Sequence, residues 1–282
     1  MKIRISAEST IDLPKELLNQ YGISVIPFPV LLGTEMKFDG DVTPQDIFDY
    51  VDKTGVLPKT SAINEMQYQE YFESILKEGY DAVIHFALSS GITSSTEHAI
   101  NAASQVKGAY VVDSKSLSTG IALEAIYASQ LAGQGLTPEE IIKKVEERIP
   151  YNQTSFVLAT VDYLHKGGRC SSLAKLGAQL FRIRPQIIMA DGKMGPGKKY
   201  MGKQLQCVEN YCKDTLEQFN NPDKSLVFVT HSLATPDMVE ACKKALVEAG
   251  FKNILETTAG ATISSHCGPK CIGILYFNDG GK

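Results

Sequence analysis

The sequence predicts an α/β chain in which an N-terminal three-layer domain with a parallel sheet precedes a C-terminal α+β domain. Short apolar segments alternate with helical patterns through the first half, as in successive β-α-β units. The second half instead has separate strand patterns divided by helices and by an Asp191-Gly192 turn. A length of 282 residues with 43% hydrophobic side chains also suits two domains better than one.

The elements of the first half follow from apolar runs and from helix-start signals. The predicted strands cover residues 3–6, 23–31, 82–87 and 109–112. The predicted helices cover about residues 14–21, 43–53, 64–77, 96–106 and 137–148, with one more after the loop 113–120. Thr43, Asn64 and Thr137 are the capping residues that begin three of them, and Gly22 ends the first helix. The segment 57–62 is predicted to be a polar loop.

The second half begins near Pro150, where we place the boundary between domains 1–150 and 151–282. Its predicted strands cover residues 155–159, 186–190, 226–230, 254–258 and 272–277. Lys166-Gly167-Gly168-Arg169 is typical of a helix end, with a left-handed glycine and basic side chains at the negative end of the helix dipole.

Charge and hydropathy exclude several classes of partner. The 28 basic and 32 acidic residues give a net charge of −4, so no positive field is available to hold nucleic acid. No apolar run approaches the roughly 18 residues of a membrane span, and the start of the chain leads directly into a strand pattern rather than a signal peptide. Six cysteines without the spacing of a secreted framework fit reduced core thiols. We therefore expect a cytoplasmic protein.

Hydroxyl side chains cluster where the predicted parallel strands end, in segments 8–10, 89–96 and 113–119. Ligands collect at this edge of a parallel sheet, and the helix N-termini there favour an anion. A carboxylate suits these loops better than a nucleotide, because basic residues are few and no phosphate-binding loop occurs. The alternative is that these hydroxyls only cap helices and form turns.

His266 is the most conspicuous titratable residue, in the loop sequence Ser264-Ser265-His266-Cys267-Gly268. It could activate a loop hydroxyl in an acyl-hydrolase-like enzyme, although the chain has no Gly-x-Ser-x-Gly elbow. It could equally be a hydrogen-bonded structural residue. Cys267 and Cys271 would add zinc ligands at tolerable spacing, but a fourth ligand is missing nearby. We expect neither a metal nor any other cofactor.

In their order along the chain, several motifs together resemble the DegV family. They are Glu8-Ser9-Thr10 to Leu13-Pro14, Lys59-Thr60-Ser61, residues 88–99, Val112-Asp113-Ser114, Lys166-Gly167-Gly168-Arg169 and residues 266–273. That family includes the fatty-acid-binding subunits of bacterial fatty acid kinase, so the resemblance implies a long-chain fatty acid, such as palmitate, stearate or oleate, buried between the two domains. It also implies a non-catalytic role, with the bound acid presented to an ATP-dependent kinase; a lipid-sensing regulatory module is the alternative.

The resemblance also assigns the site residues. It places the fatty acid carboxylate near Thr60, Ser61, Thr93, Ser94 and His266. Thr93 stands where the family usually has serine, and Ser94 where glycine is common. The resemblance further implies that Arg169 contacts a kinase, whereas Met201 occupies the position of a second arginine used for the same contact.

Overall fold

The computed structural model describes residues 1–170 and 183–281, and its first sheet forms within the N-terminal half. This sheet consists of β1 (Ile3–Glu8), β2 (Ile23–Ile26), β6 (Ala82–Ala87) and β7 (Ala109–Asp113). The strands lie in the order β2-β1-β6-β7, and every neighbouring pair runs parallel. The predicted parallel sheet is therefore confirmed.

Three of the six helices of this half begin at the capping residues that the sequence predicts. They are α1 (Lys15–Tyr21), α2 (Pro44–Thr54), α3 (Glu65–Lys77), α4 (Ser95–Gln105), α5 (Thr119–Gly133) and α6 (Pro138–Arg148). The side chains of Thr43, Asn64 and Thr137 each accept a hydrogen bond from the backbone N–H three residues ahead, completing capping boxes. Helices α3 and α4 pack together against the sheet, as do α5 and α6.

The first half also contains a smaller, three-stranded sheet that the sequence does not predict. Residues 23–31 are not one strand but two, because β2 ends at Ile26 and β3 (Pro29–Leu32) joins a different sheet. Pro27 lies between them and has no N–H to continue a ladder. Strand β3 pairs antiparallel with β4 (Glu35–Phe38) and with β5 (Lys59–Thr60), which lies in the segment predicted as loop.

The second half forms a six-stranded mixed sheet, which confirms the predicted α+β architecture. Its strands are β8 (Asn152–Val157), β9 (Arg184–Ala190), β10 (Lys193–Tyr200), β11 (Val227–Ser232), β12 (Ile254–Thr258) and β13 (Cys271–Phe277). They lie in the order β10-β9-β8-β13-β11-β12, with β11 and β12 parallel and the other pairs antiparallel. Helices α8 (Gln204–Gln218) and α9 (Pro236–Glu248) pack together against this sheet.

Strand β10 was not predicted, because its sequence lacks alternating apolar residues and contains glycine and proline. These residues are tolerated since β10 is the edge strand and its register shifts between Pro196 and Lys199. The predicted Asp191-Gly192 turn joins it to β9, with φ of 48° and 76° at the two residues.

Two short helices of the second half, α7 (Asp162–Lys166) and α10 (Ala261–Cys267), face the first half. Gly168 follows α7 with a φ of 70°, so the predicted left-handed helix end is confirmed. Helix α5 is buried along most of its length and contacts β1 and β6 on one side and β8 and β13 on the other. One continuous hydrophobic core therefore contains residues of both halves. The predicted domain boundary after residue 150 stays a prediction. None of the described helices combines the length and apolar character needed to span a bilayer.

Candidate functional site

A largely apolar cavity lies between the carboxyl-terminal edge of the parallel sheet and the six-stranded sheet. It holds about 870 Å³ of space free of protein atoms, a volume that includes open solvent at its mouth. Its apolar wall comprises Phe28, Ala62, Leu88, Ile92, Leu117, Phe156, Leu164, Met194, Ala259, Ile263 and Leu275. Such a wall suits an alkyl chain, because it offers contact area without requiring hydrogen bonds from the ligand.

The cavity wall also carries polar residues that are far apart in sequence. Thr60, Ser61, Thr93 and His266 all line it, together with the exposed Arg169. Thr60 ends β5 and His266 lies in the last turn of α10, and Thr60 Oγ1 is 2.8 Å from His266 Nε2. The structure thus brings four of the five predicted carboxylate-site residues to one cavity wall.

Ser94, the fifth, is exposed and lies in an adjoining open groove rather than in the cavity. This groove is lined by Ser90, Gly91, Ile92, Thr93, Ser94, Glu97, Gly168 and Arg169. Ile92, Thr93 and Arg169 line both spaces, so the groove adjoins the cavity. A molecule in the groove would lie next to these shared residues.

His266 is neutral in this environment. Burial, together with the smaller effect of the positive charge of Arg169, lowers its pKa from 6.5 to about 4. Its Nδ1 atom is buried without a hydrogen-bond partner in the described part of the chain. The ring packs closely on Gly167, where a Cβ atom would lie 2.9 Å from Nδ1. The glycine of the Lys-Gly-Gly-Arg motif is thus needed for the close approach of helix α7 to His266.

A His266 base paired with a hydroxyl nucleophile would need a group that orients the ring and a pKa nearer neutrality. Thr60 is within hydrogen-bonding distance, but no described carboxylate bonds to Nδ1. A pKa of about 4 also makes the imidazole a weak base. The geometry therefore weighs against the acyl-hydrolase alternative.

Thr93 is held so that its hydroxyl hydrogen can serve a ligand. Its Oγ1 accepts a hydrogen bond from the Ser95 N–H at 3.1 Å, and its own N–H donates to Ser89 O. The side chain therefore keeps its donor capacity at the cavity wall. A hydroxyl donor of this kind suits a carboxylate, which when ionised only accepts hydrogen bonds.

A buried network that the sequence did not predict holds the two polar loops in place. Glu8, fully buried at the end of β1, accepts from the Tyr68 hydroxyl at 2.7 Å and from the Leu88 N–H at 2.9 Å. Tyr68 also contacts Ser95 Oγ at 2.8 Å, and Ser95 Oγ accepts from the Ile63 N–H. The loop that carries Thr93 and the segment after Ser61 are therefore tied to one carboxylate.

A second unpredicted feature fixes helix α10. Asp12 accepts from the Gly260 N–H at 2.8 Å, while Asp39 accepts from the N–H groups of Ala261 and Thr262 at 2.8 and 3.2 Å. Burial, together with the nearby charge of Asp39, raises the pKa of Asp12 well above its ordinary value, although its hydrogen bonds act in the opposite sense. Two acidic residues of the first half thus cap the helix that carries His266.

Most hydroxyls of the predicted loops are already used by the protein. Ser9 Oγ donates to Asp39 and accepts from the Phe28 N–H, and Ser89 Oγ donates to Gly192 O. The three loops do share one edge of the parallel sheet, as predicted. Thr93 and Ser118 are their only hydroxyl residues among the described cavity-lining residues, and Ser118 donates to Asp12. These hydroxyls therefore serve tertiary contacts and local turns rather than helix caps, since neither Ser94 nor Ser118 makes a side-chain capping bond to its helix.

Comparison with known proteins gives matches along the whole chain. The family model described as "Uncharacterised protein, DegV family" matches residues 2–279. The chain is similar to a fatty acid-binding protein of Thermotoga maritima, with 27% identity over 97% of this chain and 96% of that protein.

Two solved structures extend the comparison to the fold. A DegV family protein from Thermus thermophilus, described for its fatty acid binding, has 25% identity and a TM-score of 0.89, with 98% of this chain and 99% of the other covered. A stearic acid-binding protein from Eubacterium ventriosum has 25% identity and a TM-score of 0.82, with 99% of each chain covered.

Proposed function

This chain belongs to the DegV family, and we propose that it binds one long-chain fatty acid with the acyl chain in the apolar cavity and the carboxylate at Thr60, Ser61, Thr93 and His266. The observation that carries this proposal is a largely apolar cavity whose wall includes the hydrogen-bonded pair Thr60 and His266 together with Ser61 and Thr93. Fatty acid binding by relatives of similar sequence and fold supports it.

The acyl chain supplies most of the affinity. Burying a palmitoyl tail contributes about 12 kcal/mol at ~0.8 kcal/mol per methylene, before the costs of association and chain ordering are subtracted. The carboxylate then sets the position of the ligand. Its lost hydration has to be replaced by protein donors, because a buried carboxylate without hydrogen bonds costs several kcal/mol.

Two hydroxyl hydrogens are available for this purpose. Thr93 keeps its hydrogen because its oxygen accepts from the Ser95 N–H. Thr60 keeps its hydrogen when neutral His266 carries its proton on Nε2 and donates to Thr60 Oγ1. A bound carboxylate favours this tautomer, since both hydroxyls then point their hydrogens at the negative charge. His266 acts through Thr60 in this arrangement.

We further propose that the carboxylate is presented to a partner rather than transformed by this chain. Arg169 is exposed at the junction of the cavity and the open groove, as a contact residue for a fatty acid kinase requires. The kinase would supply ATP and metal. Met201, at the position of a second contact arginine in kinase-associated relatives, is also exposed, so any contact there is apolar rather than ionic.

Lipid extraction and palmitate titration of delipidated variants test the proposal. Mass spectrometry of an organic extract of purified wild-type protein should show near-stoichiometric fatty acid. Thr93→Val and His266→Gln should each weaken palmitate binding by about tenfold, because each removes or misorients one charge-assisted hydrogen bond. Cys267→Ala changes the same cavity without removing a donor to the carboxylate, and it should bind nearly as the wild type does. Equal affinity of all four proteins would refute the carboxylate assignment, and no binding at all would refute the function.

A further inference from the structure

Helix α10 carries two buried polar side-chain atoms without hydrogen-bond partners. His266 Nδ1 and Thr262 Oγ1 are both enclosed, and neither has a hydrogen-bond partner in the described part of the chain. Both residues line the cavity, and Thr262 is only 4% exposed. Buried hydroxyls are normally paired, so Thr262 stands out as a group that a ligand could complete.

The other hydroxyls in this part of the wall are already satisfied. Thr230 Oγ1 lies 2.6 Å from Thr119 Oγ1 and 2.9 Å from Thr257 Oγ1. Ser232 Oγ donates to Ser264 Oγ at 2.9 Å. The Thr262 N–H is bonded to Asp39, but its side chain is not. Thr262 is therefore the one threonine or serine on the described wall of the second half whose hydroxyl has no protein partner.

Thr262 also stands at a fixed distance from the carboxylate end of the site. It precedes His266 by four residues, which places the two on the same face of α10 and about 6 Å apart along the helix axis. A hydrogen bond spans about 2.8 Å, so a ligand whose carboxylate lies beside His266 and Thr60, and whose chain runs along α10 toward Thr262, has its first few carbons beside Thr262. A plain alkyl chain would cover the Thr262 hydroxyl with methylene groups and leave it unpaired.

We propose that the cavity selects fatty acids with a hydroxyl on carbon 3, which forms a hydrogen bond with Thr262 Oγ1. This inference rests on the proposed fatty-acid-binding function and names the ligand class more closely. The threonine hydroxyl both donates and accepts, so it pairs with an alcohol without a change in protonation. Since Thr262 reaches the chain from one side, only one enantiomer of the ligand places its hydroxyl toward it.

The test compares the two enantiomers of 3-hydroxypalmitate on delipidated protein by isothermal titration calorimetry. The enantiomers have identical hydration in water, so the ratio of their dissociation constants depends only on contacts within the protein. The ratio should be about tenfold for the wild type, from one hydrogen bond made and one buried hydroxyl left unpaired. It should fall close to one in Thr262→Val, which keeps the shape and removes the hydroxyl, and it should persist in Thr262→Ser.

Ser265→Ala is the matched control on the same helix, because the Ser265 hydroxyl already donates to Ala261 O at 2.7 Å. It should keep the wild-type ratio. Because the Thr262 hydroxyl has no partner to lose, Thr262→Val should fold, and its thermal transition verifies this. An equal ratio in wild type and Thr262→Val would overturn the inference while leaving palmitate binding intact. Failure of palmitate itself to bind would instead overturn the proposed function.

Discussion

Replacing His266 by glutamine should change how the stability of the lipid-free protein depends on pH. Burial, with the charge of Arg169, lowers the His266 pKa from 6.5 to about 4 in the folded protein. The His266 side chain therefore becomes protonated near pH 6.5 in the unfolded chain but only near pH 4 in the folded protein. The wild type is fully stable with respect to this group above the unfolded pKa, and it loses stability as the pH falls from 6.5 to about 4.

The size of this loss follows from the two pKa values. A difference of one pKa unit corresponds to about 1.4 kcal/mol, so the loss is about 2 kcal/mol at pH ~5 and about 3 kcal/mol when titration is complete. Glutamine has no titrating group, so His266→Gln lacks this loss. Other titrating groups, including Asp12, are common to both proteins and cancel in the difference between them.

Urea unfolding at about pH 7.5 and about pH 5 measures the effect as the change in free energy of unfolding. The free energy of unfolding of the wild type, minus that of His266→Gln, should be about 2 kcal/mol lower at pH ~5 than at pH ~7.5. The variant is therefore favoured at low pH. His165→Gln, a change at an exposed histidine of α7, is the control for replacing a histidine by glutamine outside the cavity. A shift below about 0.5 kcal/mol for His266→Gln would refute the assignment of a buried neutral imidazole. Bound palmitate should reduce the shift, because its carboxylate favours the protonated ring.

Two further predictions concern contacts between the halves of the chain. Gly91→Ala should destabilise the protein by about 1–3 kcal/mol, because its Cβ would lie 2.2 Å from Gly192 O in the β9–β10 turn. Gly195→Ala on the same hairpin meets no atom within 4 Å and should be nearly neutral in urea unfolding; equal losses would contradict the steric argument. Arg148→Met should lower the free energy of unfolding by about 3–5 kcal/mol. The buried Asp279 carboxylate, whose Oδ2 lies 2.6 Å from Arg148 Nε, would be left without its cation. Restoration of most of that loss by adding Asp279→Asn would support this cause, and an unchanged transition in Arg148→Met would refute it.

Much of the fold was predictable because it depends on local patterns. The apolar run of β6 identifies a buried strand, and Thr43, Asn64 and Thr137 mark helix starts through contacts only three residues long. The failures have local explanations too. Pro27 divides a run that hydropathy alone joins into one strand, and β10 lacks the alternation that identifies most strands.

The proposed carboxylate site was predictable only in part. The motif resemblance assigned Thr60, Ser61, Thr93 and His266, and all four line the same cavity. Ser94 has the same local character as Thr93 but is exposed in the adjoining groove. Neighbouring hydroxyls in a loop are alike in sequence, and their orientation depends on how the loop enters α4. Glu8 and Tyr68 control that entry from β1 and α3.

The sequence by itself determined the family, most of the order of strands and helices, three helix caps and the residue types at the proposed carboxylate site. Only the tertiary structure decided which hydroxyls line the cavity and which already form hydrogen bonds with other groups of the protein. Asp12 and Asp39 cap α10 across separations of 248 and 222 residues, and Thr60 meets His266 across 206. Such partners leave no mark in local periodicity, because a hydrogen bond needs only closeness in space, and the packing of two sheets around α5 provides it.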